Sequence, residues 1–189
     1  MLVGITGQIA SGKSYILKII QQLGYQCYNT DLLTLEAYND KEVKNKLNSH
    51  FQCIENDKVN KKILKNKLTN NLDNLQLLNQ IIHPYIYDKI VSLDKKDQLI
   101  FIEIPLLFET NFYKLCKVNV CINIDENLRN NLLYNRNKDN YKFLKILELQ
   151  QFTQQQKNEL ADYIINNDLN ESSLKKQVNN LIDYCKKLL

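Results

Sequence analysis

The sequence predicts an α/β protein in which helices cover both faces of a parallel five-stranded sheet. Helical patterns separate short apolar segments, and this alternation favours parallel strands joined by helical crossovers. A glycine-containing turn connects the first such segment to the first helix. The chain, at 189 residues, is long enough for one full core with small additional lobes. The predicted strands are residues 2–6, 25–29, 99–104, 117–125 and 162–166.

The first strand and the first helix flank a phosphate-binding loop. Residues 7–14 fit the pattern G-x-x-x-x-G-K-[ST], in which backbone N–H groups at a helix N-terminus hold a phosphate. Lys13 is expected to reach the β- and γ-phosphates, and the Ser14 hydroxyl to ligate Mg²⁺. We therefore expect a three-layer P-loop NTPase fold. The predicted nucleotide contacts are Gly7, Gln8, Ile9, Ala10, Ser11, Gly12, Lys13, Ser14 and Tyr15.

Asp31 follows the second predicted strand. The end of this strand usually lies beside the phosphate loop, so Asp31 is a candidate base for an attacking hydroxyl. Alternatively, Asp31 caps the helix that follows, and the two roles are compatible.

Residues 32–97 show a helical pattern and are predicted to form a lobe inserted into the α/β core. His83 and Pro84 either begin a helix, with proline at its first position, or contact a substrate. A set of DNA-binding helices is a weaker alternative, because arginine and aromatic support is missing. The apolar face of the lobe is predicted to include Leu64, Leu68, Leu72 and Leu75.

Glu103 ends the most apolar strand, where it could hold a Mg²⁺-bound water; pairing with a lysine is the alternative. Arg136 lies in residues 126–156, a helix-rich segment predicted to be a lid, although a solvated surface arginine is possible. Ligands of parallel sheets bind at the carboxyl ends of the strands. One cleft is therefore expected to hold the phosphate loop, Asp31, Glu103 and the region of Asp125.

Composition indicates a globular protein, with 44% hydrophobic and 24% charged residues. The net charge of +4 is mild and does not favour nucleic-acid binding. Five cysteines without a C-x-x-C pair predict reduced, mostly buried thiols. We see neither a signal peptide nor an apolar run of membrane-spanning length. The expectation is a cytoplasmic monomer or weak homo-oligomer with no nucleic-acid or membrane partner.

The motifs together resemble dephospho-CoA kinases, nearly from end to end. Residues 6–14 (TGQIASGKS) are similar to the family's T-G-G-I-x-S-G-K-S, and residues 29–31 lie at its D-x-D. Residues 81–84 (IIHP) and 103–109 (EIPLLFE) are similar to I-x-H-P and D-x-P-L-L-F-E. Further matches are Arg136, Gln151, and Ala161, Asp162, Ile164 and Asn166 in an A-D-x-x-I-x-N pattern.

The resemblance implies transfer of the ATP γ-phosphoryl group to the 3′-hydroxyl of dephospho-CoA, which gives CoA and ADP. It implies a CoA-binding lobe at 32–97 and a lid at 126–156 that closes over ATP. Asp31 would be the base, Lys13 and Ser14 would serve ATP and Mg²⁺, and Arg136 would clamp the phosphates. The remaining implied contacts are Asn166 with the nucleotide, and His83, Pro105 and Leu106 with the acceptor.

Several positions depart from the family pattern. Gln8 replaces a loop glycine, and Asn29 replaces the first acid of D-x-D. Arginine can bind a phosphate with two parallel N–H groups, whereas lysine has a single ammonium group. The replacement of family arginines therefore predicts weaker contacts with the substrates, or compensation by nearby lysines. Positions that often carry a basic residue or arginine in the family hold Leu35, Lys61, Tyr87, Leu132 and Leu147.

Three alternatives stay open at this point. A kinase for another small acceptor, such as a nucleoside monophosphate, would share the core and differ in the lobe. A catalytically eroded module would bind ATP without turnover. A structural protein without nucleotide is the weakest alternative, because it leaves the phosphate loop unexplained.

Overall fold

The computed structural model describes residues 1–71, 73–95, 98–136 and 141–189, without the side chains of residues 70, 136 and 142. The described chain divides into two compact units. Met1–Asn29 and Leu93–Leu189 form the first unit, and Thr30–Ser92 forms the second. The second unit overlaps most of the segment that the sequence predicted as a lobe.

The first unit contains a parallel sheet of β1 (Leu2–Thr6), β2 (Gln26–Asn29), β5 (Ile100–Glu103), β6 (Val118–Ile124) and β7 (Tyr163–Asn167). The strand order is β2-β5-β1-β6-β7, which confirms the predicted five-stranded sheet. The helices of this unit are α1 (Lys13–Gln22), α6 (Glu126–Arg136), α7 (Tyr141–Glu148), α8 (Gln154–Leu160) and α9 (Glu171–Lys186). A short 3₁₀ helix spans Asn111–Leu115.

The central strands are mostly buried because helices cover both faces of the sheet. All five residues of β1 are buried. Ile16 and Ile20 of α1 pack in one core cluster with Leu174 and Val178 of α9. Leu23 has the helical spacing that predicts a place on the apolar side of α1 with Ile16 and Ile20, but it follows the helix and is exposed.

The second unit contains α2 (Thr30–Ala37), α3 (Lys41–Phe51), α4 (Lys61–Asn70) and α5 (Asp73–Leu93). It also contains a small antiparallel hairpin of β3 (Ile54–Glu55) and β4 (Lys58–Val59), so the purely helical prediction was wrong here. Asn56 and Asp57 form the turn with φ values of 47° and 59°. Asparagine and aspartate tolerate this left-handed conformation, which tight hairpin turns need.

The predicted apolar face of the second unit is largely present: Leu64, Leu68 and Leu75 are buried. Leu72 lies outside the described residues. Pro84 does not begin a helix, as one interpretation of the sequence held, but lies inside α5. A helix keeps an internal proline, which removes one backbone hydrogen bond, only where other contacts compensate. Buried Ile82 and Ile86 lie on either side of Pro84 in α5 and provide such packing.

All five cysteines are free thiols in the described chain, and four are buried. Burial raises the pKa of Cys116 to about 12 and that of Cys185 to about 11. Among the helices that the structure describes, none combines the length and the apolar character required to span a bilayer.

Candidate active site

The phosphate loop connects β1 to α1 and owes its shape to two glycines. Gly7 and Gly12 have φ values of +150° and +95°, which residues other than glycine rarely adopt. A Cβ atom on Gly7 would lie 2.6 Å from the Ser11 hydroxyl and 2.7 Å from the Ile122 carbonyl oxygen. A Cβ atom on Gly12 would overlap the Asn167 side chain. The helix begins directly after Gly12 without a side-chain cap, so its first N–H groups face the loop.

Lys13 directs its ammonium group into the loop. Its side chain is only 8% exposed, and Nζ donates to the carbonyl oxygens of Gly7 and Gln8 at 3.1 and 3.0 Å. A cation inside a ring of backbone N–H groups is the arrangement that holds a polyphosphate. Of the other predicted nucleotide contacts, Tyr15 is exposed on α1, and Ser11 within the loop is fully buried.

Ser14, Glu103 and Asn29 meet at the carboxyl ends of β2 and β5. The Ser14 hydroxyl donates to Glu103 Oε2 at 3.0 Å, and Asn29 Nδ2 donates to the same oxygen at 2.9 Å. The parallel register of β2 and β5 pairs Asn29 with Glu103. An aspartate at position 29 would set two carboxylates side by side, whereas the amide of Asn29 donates a hydrogen bond to Glu103. Asn29, which replaces the first acid of the family's D-x-D, therefore forms a direct hydrogen bond with Glu103.

Asn167, which the sequence analysis did not select, anchors the phosphate loop. It is 6% exposed, and its Nδ2 donates to the Ser11 carbonyl oxygen at 2.8 Å. The predicted neighbour Asn166 is exposed, and its Oδ1 accepts from Asn123 Nδ2 at 2.8 Å. Adjacent residues of a strand face opposite sides, so only the register of β7 distinguishes the two asparagines.

A buried ion pair fixes the segment after β5. Lys157 of α8 is fully buried, and its Nζ lies 2.7 Å from Glu109 Oε1. Lys157 also donates to the Pro105 carbonyl oxygen at 2.9 Å and to the Thr6 hydroxyl at 3.3 Å. Glu109 in turn accepts from the Phe152 N–H at 2.7 Å. The motif 103–109 is therefore tied through its last residue to α8, and Lys157 was not selected from the sequence.

The Ile9 peptide groups are held by residues of the 126–156 segment. The Ile9 N–H donates to Gln151 Oε1 at 3.2 Å, and Arg129 Nη1 donates to the Ile9 carbonyl oxygen at 3.4 Å. Gln151 was matched to the family pattern, whereas Arg129 had no predicted role. Arg136 is the last residue of α6, and its side chain lies outside the described part of the chain.

Asp31 and His83 belong to the second unit. Asp31 is exposed in the first turn of α2, which begins at Thr30, so it is not the N-cap of that helix. A carboxylate in this turn interacts favourably with the helix dipole. His83 is half-buried within α5, and burial lowers the pKa of its imidazole.

The lowered pKa of His83 predicts a pH-dependent stability. The unfolded chain has the ordinary pKa of 6.5 and binds a proton more readily, so stability is lost as pH falls below 6.5 through the folded pKa. His83→Asn removes this titration. We expect the unfolding free energy of the wild type to fall relative to that of His83→Asn between about pH 7 and about pH 5 in urea titrations. A difference that stays constant over this range would contradict the expectation.

Pro105 and Leu106, the predicted acceptor contacts in the first unit, are partly exposed at the end of β5. The Leu106 carbonyl oxygen accepts from the Thr110 hydroxyl at 2.6 Å. No group of three or more histidine, cysteine, aspartate or glutamate side chains that could hold a metal occurs in the described ranges.

The sequence is similar to that of known kinases along most of its length. The dephospho-CoA kinase family model matches residues 1–173. The dephospho-CoA kinase of Fusobacterium nucleatum is 30% identical over 183 residues, which cover 94% of this chain and 95% of that protein. That of Leptospira interrogans is 32% identical over 191 residues, with 95% and 90% covered.

Solved structures are similar in fold. Dephospho-CoA kinase from Campylobacter jejuni has a TM-score of 0.72 and 26% identity, and the match covers 98% of this chain and 97% of that one. Shikimate kinase from Bacteroides thetaiotaomicron has a TM-score of 0.52 at 12% identity, with 98% of both chains covered, and supports the P-loop kinase fold alone. The resemblance inferred from the motifs is confirmed. The chain belongs to the dephospho-CoA kinase family, a family of ATP-dependent kinases.

Proposed function

We propose that this chain transfers the γ-phosphoryl group of ATP to the 3′-hydroxyl of dephospho-CoA, with Asp31 as the general base. The proposal rests on the phosphate loop, which has the Lys13 ammonium group inside it and a hydrogen bond from the Ser14 hydroxyl to Glu103 beside it. Phosphoryl transfer requires mainly positioning and charge neutralisation, and this loop supplies both.

Lys13 and the loop N–H groups would hold the β- and γ-phosphates. Arg136, Tyr15 and Asn166 are proposed as further nucleotide contacts, on the basis of the family resemblance. Lys13 Nζ lies within hydrogen-bond distance of two loop carbonyl oxygens, so a phosphate entering the loop would exchange these weak acceptors for charged ones.

The residues present fit Mg²⁺. The Ser14 hydroxyl and the Glu103 carboxylate lie 3.0 Å apart and offer hard oxygen atoms, which Mg²⁺ prefers together with phosphate oxygens and water. We propose that Ser14 is a direct ligand and that Glu103 acts through water. The ion, when bound, supplies neutralisation of the charge that develops on the phosphates.

The acceptor side is proposed to include Asp31, His83, Pro105 and Leu106. Residues 32–97 would form the CoA-binding lobe, and residues 126–156 a lid over ATP. Asp31 is exposed in the first turn of α2, so its carboxylate can accept a proton from a substrate hydroxyl. We also propose that the protein acts in the cytoplasm as a monomer or weak homo-oligomer.

Asp31→Asn tests the assignment of the base. We expect kcat to fall by about 10²-fold to 10⁴-fold, because that is the usual contribution of a positioned general base. The Kd for ATP should change little. The measurement is ADP release with Mg²⁺ and ATP, with dephospho-CoA, AMP or no acceptor, for the wild type and the variant.

Asp40→Asn is the matched control, since Asp40 caps α3 in the same unit and has no proposed catalytic role. Its kcat should equal that of the wild type. Wild-type ADP release with AMP but not with dephospho-CoA would overturn the proposed acceptor. Equal kcat for Asp31→Asn and the wild type would overturn the assignment of Asp31 alone.

A further inference from the structure

The sequence has only two arginines, Arg129 and Arg136, among 25 basic residues. Arg129 is 5% exposed in α6, an unusual environment for a charged residue. A buried guanidinium is costly unless acceptors surround it. The position of Arg129 therefore requires an explanation from its partners.

The Arg129 guanidinium connects three segments of the first unit. Nη1 donates to the Ile9 carbonyl oxygen in the phosphate loop at 3.4 Å and forms an ion pair with Glu148 at the end of α7. Nη2 donates to Asn130 Oδ1 at 3.2 Å. The α6 helix, the α7 helix and the phosphate loop therefore share one side chain.

Glu148 is held from two sides. Its second oxygen, Oε2, lies 2.7 Å from Lys145 Nζ, while Arg129 pairs with Oε1. Burial raises the pKa of Glu148, but the hydrogen bonds and charges of Lys145 and Arg129 outweigh it and hold the pKa below its usual value. Glu148 is therefore ionised near neutral pH and keeps the Arg129 guanidinium in place.

The contact at Ile9 lies next to a residue with a strained backbone conformation. Ala10, the next residue, has a φ of 65°, a left-handed conformation that alanine rarely adopts. Gln151 holds the Ile9 N–H and Arg129 holds the Ile9 carbonyl group, so both sides of this residue are fixed. An unsupported loop would relax away from a strained Ala10, and its N–H groups would lose their common direction.

Stability alone does not account for the arrangement. The Arg129 Nε–H is buried and has no hydrogen-bond partner among the described residues. A buried unsatisfied donor costs free energy. The guanidinium is oriented so that Nη1 contacts both the Ile9 carbonyl oxygen and Glu148, although this orientation leaves its Nε–H without an acceptor among the described residues.

We propose that Arg129 is a positioning residue, which acts with Glu148 to hold the phosphate loop in its phosphate-binding conformation and to couple that loop to α7. The inference rests on the proposed role of the loop in ATP binding. Leu132 and Leu147, at positions where the family often has arginine, lie between Arg129 and Glu148 in the sequence. The Arg129–Glu148 pair would therefore make α6 and α7 responsive to phosphate without the usual arginines.

The test compares Arg129→Lys, Glu148→Gln and the double variant. Lysine keeps the charge of Arg129 but has one flexible ammonium group in place of the planar guanidinium, which holds Nη1 on Ile9 and Glu148 while Nη2 binds Asn130. We expect each single variant to lower kcat about tenfold and to raise the Kd of a fluorescent ATP analogue, since couplings of this kind span about 3-fold to 30-fold. The Kd for dephospho-CoA, measured by calorimetry, should not change. The double variant should be no worse than either single variant, because both remove the same link.

Glu159→Gln is the matched control, because Glu159 is exposed on α8 and accepts a hydrogen bond only from the neighbouring Gln155 side chain in the described structure. It should leave kcat and both dissociation constants unchanged. Wild-type values of kcat and ATP affinity in Arg129→Lys, with only a lower thermal midpoint, would show that Arg129 is purely structural and overturn the inference. Additive losses in the double variant would also overturn it. Failure of the wild type to release ADP with dephospho-CoA would instead contradict the proposed function.

Discussion

Lys13→Met is expected to lower kcat by about 10³-fold to 10⁵-fold, the range for removing a cation that stabilises the transferring phosphoryl group. The Lys13 ammonium lies inside the phosphate loop, 3.1 Å from the Gly7 carbonyl oxygen. Methionine fills a similar volume and removes the charge. The measurement is ADP release in the presence of Mg²⁺, ATP and dephospho-CoA.

Lys18→Met provides the control, because Lys18 is exposed on the same helix, α1. Both variants should show cooperative unfolding, and Lys18→Met should retain wild-type kcat. A Lys13→Met protein that folds and keeps more than about one tenth of the wild-type kcat would contradict the proposed role of Lys13 in phosphoryl transfer.

Lys157→Met is expected to lower the free energy of unfolding by about 3–5 kcal/mol, because it leaves the Glu109 carboxylate without its buried partner. Both side chains are largely buried, at 0% and 7% exposure for Lys157 and Glu109. A domain of this kind has about 5–15 kcal/mol of total stability, so the loss is a large fraction. The measurement is equilibrium unfolding in urea, followed by circular dichroism.

Two further variants identify the cause of that loss. Lys175→Met removes a lysine of an exposed ion pair on α9 and should leave the free energy of unfolding almost unchanged. Glu109→Gln combined with Lys157→Met removes the buried charge but keeps an acceptor for the Phe152 N–H. This combination should recover most of the stability. If it is as unstable as Lys157→Met alone, the bonds of Lys157 to Pro105 and Thr6 matter more than the charge of Glu109.

The buried pair gives Glu109, the last residue of the segment 103–109, a structural role in this chain. Glu109 lies six residues beyond Glu103, and the Lys157 ammonium that pairs with it also binds the Pro105 carbonyl oxygen. The segment between β5 and the 3₁₀ helix is therefore anchored at both ends. An anchored Pro105 and Leu106 would present a rigid surface to the acceptor, as a precise site requires.

The substitution at Asn29 has a similar local explanation. The family resemblance alone suggested that a carboxylate was missing near the metal. Asn29 instead donates to Glu103, which also accepts from Ser14. The amide of Asn29 therefore gives Glu103 a hydrogen-bond donor where an aspartate would place a second carboxylate. The substitution is therefore compatible with Mg²⁺ binding at this position.

Local patterns were sufficient to predict the sheet and the phosphate loop. The strands β1 and β5 are short, largely apolar runs, and the loop pattern places two glycines where only glycine fits. Both signals lie within a few consecutive residues, so one sequence displays them in full. The hairpin at residues 54–59 was missed because each of its strands is only two residues long, too short for a periodic pattern. The internal position of Pro84 was missed because proline usually marks a helix start or end, and here the packing of α5 overrides that tendency.

The sequence by itself therefore determined the fold class, the phosphate loop and the family. Only the tertiary structure decided which side chains support the loop. Asn167, Lys157 and Arg129 contact residues that are 156, 151 and 120 positions away in the chain. Such contacts leave no periodic signal in the sequence, because strand register and helix packing bring the partners together. The same burial that hides these polar side chains from water makes their partners specific.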